Sequence, residues 1–278
     1  MQNLRIKNKY LFLEDKNKIK KLWLENFFDD DKKTINYFLE NVFENKKGVG
    51  AFFEDELIAM VLFLDSEIIL KENVKKSVYF YAVCTDVKFR NKGVIKNLIT
   101  FAKKMLEEQN TEIAFLVPAN EELFSMYEKF CFSKAIGYNE TIFTRSDVDC
   151  KNTICFSTDF CYSDYKRLKL SDSKETPVVL WNESEFDFIF DKSRDDVSFL
   201  FSETGFAIYE KHDEEILVYE ICGNHKDVTA AIFLKESDCD KIKVRLPAKA
   251  SSEFLGMVCN IKESIPFTSY IYLGMPYR

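Results

Sequence analysis

What this chain lacks narrows it first. No apolar run approaches the roughly 20 residues needed to span a bilayer, so no membrane partner is expected. The opening Met-Gln-Asn-Leu-Arg-Ile-Lys has neither an apolar core nor a small-residue cleavage site. No secretory signal is read there, and a cytoplasmic protein is the expectation. Histidine is scarce, with two, and none of the eight cysteines forms a Cys-x-x-Cys pair. The strong zinc signatures need such pairs, so no metal is expected. Cys150, Cys155 and Cys161 cluster, but His212 and His225 lie far away in sequence. Reduced, partly buried thiols fit a cytosolic chain. Positive charge is not in excess either, because the net charge is −7. Nucleic-acid binders are usually basic, so that partner class is set aside, and a negative field favours a cationic acceptor. Glycine (8) and proline (5) are few, whereas 46% of the 278 residues are hydrophobic and 31% charged. That balance suits one large or two ordinary packed domains rather than a disordered chain.

What is present is organised around residues 78–132. Val78 to Asp86 is a β-branched and aromatic run, which reads as a buried strand. A basic turn with one glycine follows: Lys88, Arg90, Lys92 and Gly93. Val94, Ile95, Leu98, Ala102, Met105 and Leu106 then recur at helical spacing. Thr111 to Val117 has strand length, and Asn120 to Phe132 reads as a second helix with Leu123, Phe124, Tyr127 and Phe130 on one face. The first amides of a helix have no partner within it, and the helix dipole makes that end partly positive. With Gly93 allowing close backbone approach, the turn could hold a phosphate. On spacing alone, a solvated turn that merely links strand to helix is the better reading.

Two motifs carry a resemblance that favours the first alternative. Arg90-Asn91-Lys92-Gly93-Val94-Ile95 resembles the Arg/Gln-x-x-Gly-x-Gly/Ala pyrophosphate loop of GCN5-related N-acetyltransferases (GNATs), with Ile95 at a position usually held by a small residue. Asn120-x6-Tyr127-x-Lys129-Phe130-Cys131-Phe132 resembles the family's Asn-x6-Tyr-x-Lys-x-Gly-Phe element, with Cys131 replacing glycine. The two stand in the family's order, separated by a helix and a strand. The likeness is good over residues 1–145, and the chain is distantly similar to the two-domain branch that includes the enhanced intracellular survival (Eis) type.

The resemblance implies an α+β mixed sheet of the acyl-CoA N-acyltransferase fold. It implies acetyl-CoA as co-substrate and a primary amine, on a small molecule or peptide, as acceptor. Main-chain groups of Val83, Cys84 and Thr85 would pair with the pantetheine arm, and amides of Asn91, Lys92, Gly93, Val94, Ile95 and Lys96, beside Arg90, would hold the diphosphate. Asn120 would bind near the coenzyme, although a helix N-cap explains it as well. Tyr127 would be the general acid for the departing thiolate, although an aromatic beside Phe124 and Phe130 also fits core packing. The central strand offers no acid before Asp86. In the Eis type the C-terminal carboxylate is the base, which makes that of Arg278 the candidate here. The alternative is a non-catalytic acyl-CoA-binding or protein-interaction module on the same scaffold.

Elsewhere the periodicity predicts a first strand within 4–12, a helix from Asp15 with Ile19, Leu22, Trp23 and Phe27, and a second helix from Asp31 to Val42. A hairpin follows over Gly48–Glu54 and Glu56–Leu64, then a polar connection from Asp65 to Ser77. Residues 152–164 read as a linker. Beyond it come a strand at 178–181, a helix at 183–191, strands at 199–203, 205–210 and 215–222, a helix at 226–234, and strands at 241–247, 254–261 and 269–273. This order echoes the first half without its phosphate-loop motif. The division is therefore a catalytic domain over 1–148 and a degenerate GNAT-like domain over 149–278 that binds no coenzyme.

Overall fold

The computed structural model describes residues 5–28, 30, 32–150, 157, 160–194, 198–213, 215–248, 253–262 and 270–274. The first strand is β1 (Lys7–Tyr10), followed by helix α1 (Lys16–Asn26), which buries Ile19, Leu22 and Trp23. The second helix starts as α2 (Lys32–Tyr37) and widens into a π-turn over Phe38–Val42. The predicted single helix thus changes pitch midway. The hairpin is β2 (Gly48–Phe53) and β3 (Glu56–Leu70), and β4 spans Asn73–Thr85. The expected polar connection at 65–77 is in fact the continuation of β3 into β4, paired from Asp65↔Val78 to Leu70↔Asn73. Its charged residues outnumber Ile68 and Ile69, which are both buried, so the paired strands look polar by composition.

Then come α3 (Val94–Glu108), β5 (Ile113–Leu116), α4 (Glu121–Glu128) and β6 (Ser133–Thr144). The second block contributes α5 (Tyr162–Asp172), β7 (Val178–Trp181), α6 (Glu183–Arg194), β8 (Ser198–Ser202), β9 (Gly205–His212) and β10 (Glu215–Gly223). It ends with α7 (His225–Lys235), β11 (Lys241–Pro247) and β12 (Glu253–Asn260). Helix α5 corrects the linker reading at its C-terminal end. It is mostly polar, and its burial rests on Tyr165, Leu168 and Lys169.

Among the described residues the strands form one mixed sheet in the order β1-β2-β3-β4-β5-β12-β6-β11-β10-β9-β8, with β7 paired to β3. Strand β12, from the second block, lies between β5 and β6 of the first. Two cores flank the first half. One packs α1, the π-turn and α6 on the sheet through Trp23, Phe38, Tyr81 and Phe188. The other packs α3 and α4 through Leu98, Leu106, Phe124 and Tyr127. A third core, with Ile232, Phe233 and Val244, lies under α7. The seven described cysteines are free, and no described helix is long and apolar enough to cross a membrane.

Candidate active site

Strands β4 and β5 are parallel neighbours only from Ser77↔Ile113 to Tyr79↔Phe115. Beyond that pair β4 runs on to Thr85 while β5 stops at Leu116, so the two edges part. The cause lies in β4. Its pairing with β3 slips between Leu62↔Tyr81 and Met60↔Cys84, which leaves one extra residue on β4. Ala82 takes a left-handed φ of 47° at this bulge. An extra residue bends a strand and increases its twist. Here the bend separates β4 from β5 and leaves main-chain groups of Val83 and Cys84 at the edge of a gap. Nothing in the sequence marked Ala82; a glycine would have been the readable signal.

The turn after β4 builds a second feature. Asp86 accepts the Lys88 N–H at 2.8 Å and closes a short 3-10 turn over Val87–Phe89. Asn91 and Gly93 then both have positive φ, 60° and 76°. Such reversals turn successive amides toward one side and make an anion-binding hollow. The first bond of α3 runs from Asn97 N–H to the Gly93 carbonyl at 3.2 Å, so the amides of Val94, Ile95 and Lys96 precede the helical ladder. A Cβ placed on Gly93 would meet nothing within 4 Å. Glycine is therefore required there for its φ rather than for space. Val94 is buried and Ile95 packs against the α3–α4 core, so the bulky Ile95 side chain is held away from the turn.

The basic side chains of this turn behave differently from one another. The Arg90 Nε donates to the Thr85 carbonyl at 3.0 Å and its terminal nitrogen donates to Asn26 Oδ1 at 2.8 Å. Arg90 thus braces the turn against β4 and α1, and it occupies one of the two lone pairs of the Thr85 carbonyl. Asn26 is a partner that the sequence reading missed. Lys92 lies over the Phe89 ring at 5.3 Å, and Lys96 is exposed. A cleft of about 340 Å³ opens between α1, the start of β3 and this turn, where Lys21, Glu25, Glu56, Asp86 and Lys88 mix both signs of charge.

Tyr127 projects from α4 into the core beneath this region. It is 5% exposed and packs edge-on against Phe132 and Phe130 at 5.7 and 6.3 Å. Burial pushes its phenol above the ordinary value of 10, and the neighbouring Cys84 thiol adds to the shift. Residues from α4 and β4, 43 positions apart by their numbers, are thereby brought together. Burial also drives the Cys84 thiol upward, against an opposing pull from Arg90, so it is a protonated packing group rather than a nucleophile. Asn120 caps α4: its Oδ1 accepts the Leu123 N–H at 3.1 Å. Cys131, at the family's glycine position, has a φ of 64°. Arg278 lies outside the described residues. The segment before it, Tyr270–Gly274, bridges in parallel to Ile136 of β6 and Val178 of β7. Asp30, which the sequence reading also missed, accepts the Trp23 indole N–H at 2.8 Å. Its charge helps keep the buried Tyr81 phenol protonated, after burial itself.

A strand fork, a left-handed glycine turn at a helix start and an adjoining tyrosine were set by residues 78–132. Residues 9–135 match the family of acetyltransferase (GNAT) domains. Residues 9–135 are a GNAT domain. The family is one of acetyltransferases, which supports acyl transfer in general. Solved structures extend the likeness beyond the GNAT domain. A GCN5-related N-acetyltransferase from Kribbella flavida is 13% identical at a TM-score of 0.69, over 91% of this chain and 70% of that one. Eis1 from Mycobacterium abscessus is 11% identical at 0.71, over 92% and 74%. A GCN5-related N-acetyltransferase from Anabaena variabilis is 13% identical at 0.71, over 93% and 73%. At these identities the likeness is one of fold, and it covers both blocks of the two-domain, Eis-like form. No curated protein matches the chain in sequence.

Proposed function

We propose that the protein is an N-acetyltransferase that moves the acetyl group of acetyl-CoA to a primary amine. The observation that carries this reading is the open turn at Gly93, set where β4 and β5 separate. The diphosphate would lie on the amides of 91–96 at the start of α3. The pantetheine arm would run through the gap, against main-chain groups of Val83 and Cys84. A backbone N–H aimed at the thioester oxygen would stabilise the tetrahedral oxyanion; removing such a donor typically costs ~2.7–4 kcal/mol.

Direct attack then needs a free amine and a stabilised leaving group. Tyr127 would act as the general acid through a hydrogen bond to the CoA sulfur that strengthens as the carbon–sulfur bond breaks. Its raised phenol supports the first half of this role, because it stays protonated at any working pH. A thiol titrates near ~8.5, so complete transfer from this phenol is uphill and its main effect is a hydrogen bond to the developing thiolate. The carboxylate of Arg278 is proposed as the base. Residues 1–148 would supply the catalytic domain, completed by β12, and residues 149–278 the degenerate one. The net charge of −7 favours a cationic acceptor.

Titration calorimetry with acetyl-CoA, followed by thiol release against a panel of amines, tests the reading. Binding and amine-dependent thiol release are expected. Binding without turnover would leave the non-catalytic module, and no binding would end both readings. A short C-terminal extension in the same assay should abolish turnover if the Arg278 carboxylate is the base.

A further inference from the structure

The second block repeats the geometry of the first fork. Strands β10 and β11 pair in parallel from Glu215↔Lys241 to Val218↔Val244. Strand β10 then carries a bulge between Val218 and Glu220, and its last residue, Gly223, has a φ of 86° just before α7. Bulge, parting of parallel strands, left-handed glycine and helix start follow in the same order as in β4, β5 and α3.

The difference is that the groups at this second gap already have partners. The Tyr272 hydroxyl accepts the Ile221 N–H of β10 at 3.0 Å and donates to the Arg245 carbonyl of β11 at 2.9 Å. One hydroxyl thus makes both bonds that an amide lying between the strands would make. At the turn, the Gly223 N–H points at the Asp172 carboxylate, 3.2 Å from each oxygen. A carboxylate of the chain stands where an anion would be drawn to the start of α7. The turn itself is Asn224 alone, against Asp86–Gly93 in the first half.

We propose that the second block is a coenzyme fork closed by the chain's own side chains, with Tyr272 in place of the pantetheine amide and Asp172 in place of the diphosphate. Each chain then takes one acyl-CoA; this last statement rests on the proposed function of the first fork. The closing groups are built in firmly. Tyr272 is 3% exposed, and its backbone N–H donates to the Pro177 carbonyl at 2.9 Å. Two residues on, Gly274 has a φ of 83°, and a Cβ there would fall 2.4 Å from the Glu220 carboxyl carbon. Glu220 is itself buried against Lys169 at 2.8 Å. A diphosphate approaching this fork would meet the carboxylates of Glu220 and Asp172, whereas Lys169 is already paired.

Hydrogen–deuterium exchange on the full chain, with and without acetyl-CoA, tests this. In the unmodified protein the Ile221 and Gly223 amides should be protected before any coenzyme is added, and unchanged after it. Amides of 91–96 should gain protection on addition, and calorimetry should give one equivalent. In Tyr272→Phe the Ile221 amide should exchange about tenfold faster, the effect of losing one buried hydrogen bond, while the response at 91–96 persists. Asp172→Ala, which removes the acceptor, should do the same to Gly223 and provides a second variant. A second equivalent of acetyl-CoA, coenzyme-dependent protection at 221–223, or unaltered Ile221 exchange in Tyr272→Phe would overturn the proposal. Absence of any response at 91–96 would instead overturn the reading of the first fork and leave the closure of the second to be judged on Ile221 and Gly223.

Discussion

Tyr127 and Cys131 show how much rests on single residues. Tyr127 is buried among Phe124, Phe130 and Phe132, so its ring packs whatever its hydroxyl does. Tyr127→Phe separates the two roles, since it keeps the ring and removes the donor. The expected result is an unchanged acetyl-CoA dissociation constant with kcat lower by ~100-fold or more, the usual contribution of a positioned acid. Steady-state kinetics beside calorimetry would check it, and undiminished kcat would remove the assigned role. Cys131 holds a φ of 64° that an L-residue adopts at a cost of about 1–2 kcal/mol. Glycine would relieve this strain but lose about 0.5–1 kcal/mol to chain entropy. Cys131→Gly should therefore raise the thermal midpoint slightly, by the equivalent of up to about 1.5 kcal/mol, as read by calorimetric melting. A lower midpoint would mean that the thiol contributes packing that outweighs the strain.

At the scale of elements, the strand–turn–helix unit from β4 to α3 does its work through backbone shape. Gly93 contacts nothing where a Cβ would stand, so Gly93→Val acts on φ alone. A β-branched residue resists the left-handed region, and the hollow should lose its alignment. Acetyl-CoA should bind at least about tenfold more weakly, corresponding to ~1.4 kcal/mol of conformational cost, while the melting temperature moves little because the turn is exposed. Equal affinity in titration calorimetry would show that the diphosphate does not use this turn. The same unit marks where sequence reading works. Periodicity and one glycine located β4, the turn and α3 closely. The long β3–β4 hairpin was misread because Glu67, Lys71, Glu72, Lys75 and Lys76 make the stretch polar in composition although Ile68 and Ile69 are buried. The π-turn at Phe38–Val42 was invisible because the same apolar residues satisfy either pitch.

For the whole molecule, one contact between the blocks is a buried ion cluster. Lys47, at the entry to β2, reaches Glu185 of α6 at 2.6 Å and Asp65 of β3 at 3.3 Å. Glu185 is fully buried and also accepts the Asp65 backbone N–H at 3.2 Å and the Ser184 hydroxyl at 2.7 Å. Two carboxylates share one ammonium, and burial together with the Glu185 charge holds the Asp65 carboxyl above its ordinary value. Lys47→Met would strand a buried carboxylate and should destabilise the fold by about 3–5 kcal/mol. Adding Glu185→Gln should recover a large part of that loss, because the uncompensated charge is then gone. Urea denaturation of both variants measures this; equal stability of the single and double variants would show that the cluster does not couple the blocks.

What the sequence determined by itself was local: which segments pair or coil, and where a positive-φ glycine lets a helix start face an anion. Those follow from side-chain periodicity and backbone sterics, which act within a few residues. The tertiary structure alone decided that the Ala82 bulge parts β4 from β5, that Arg90 braces Thr85 and Asn26, and that β12 crosses into the first half of the sheet. It also decided that Tyr272 lies between β10 and β11. Apart from the Arg90–Thr85 bond, each of these joins residues distant along the chain, and the free energy that places them comes from burial and hydrogen bonding across the packed sheet, which no spacing within one segment encodes.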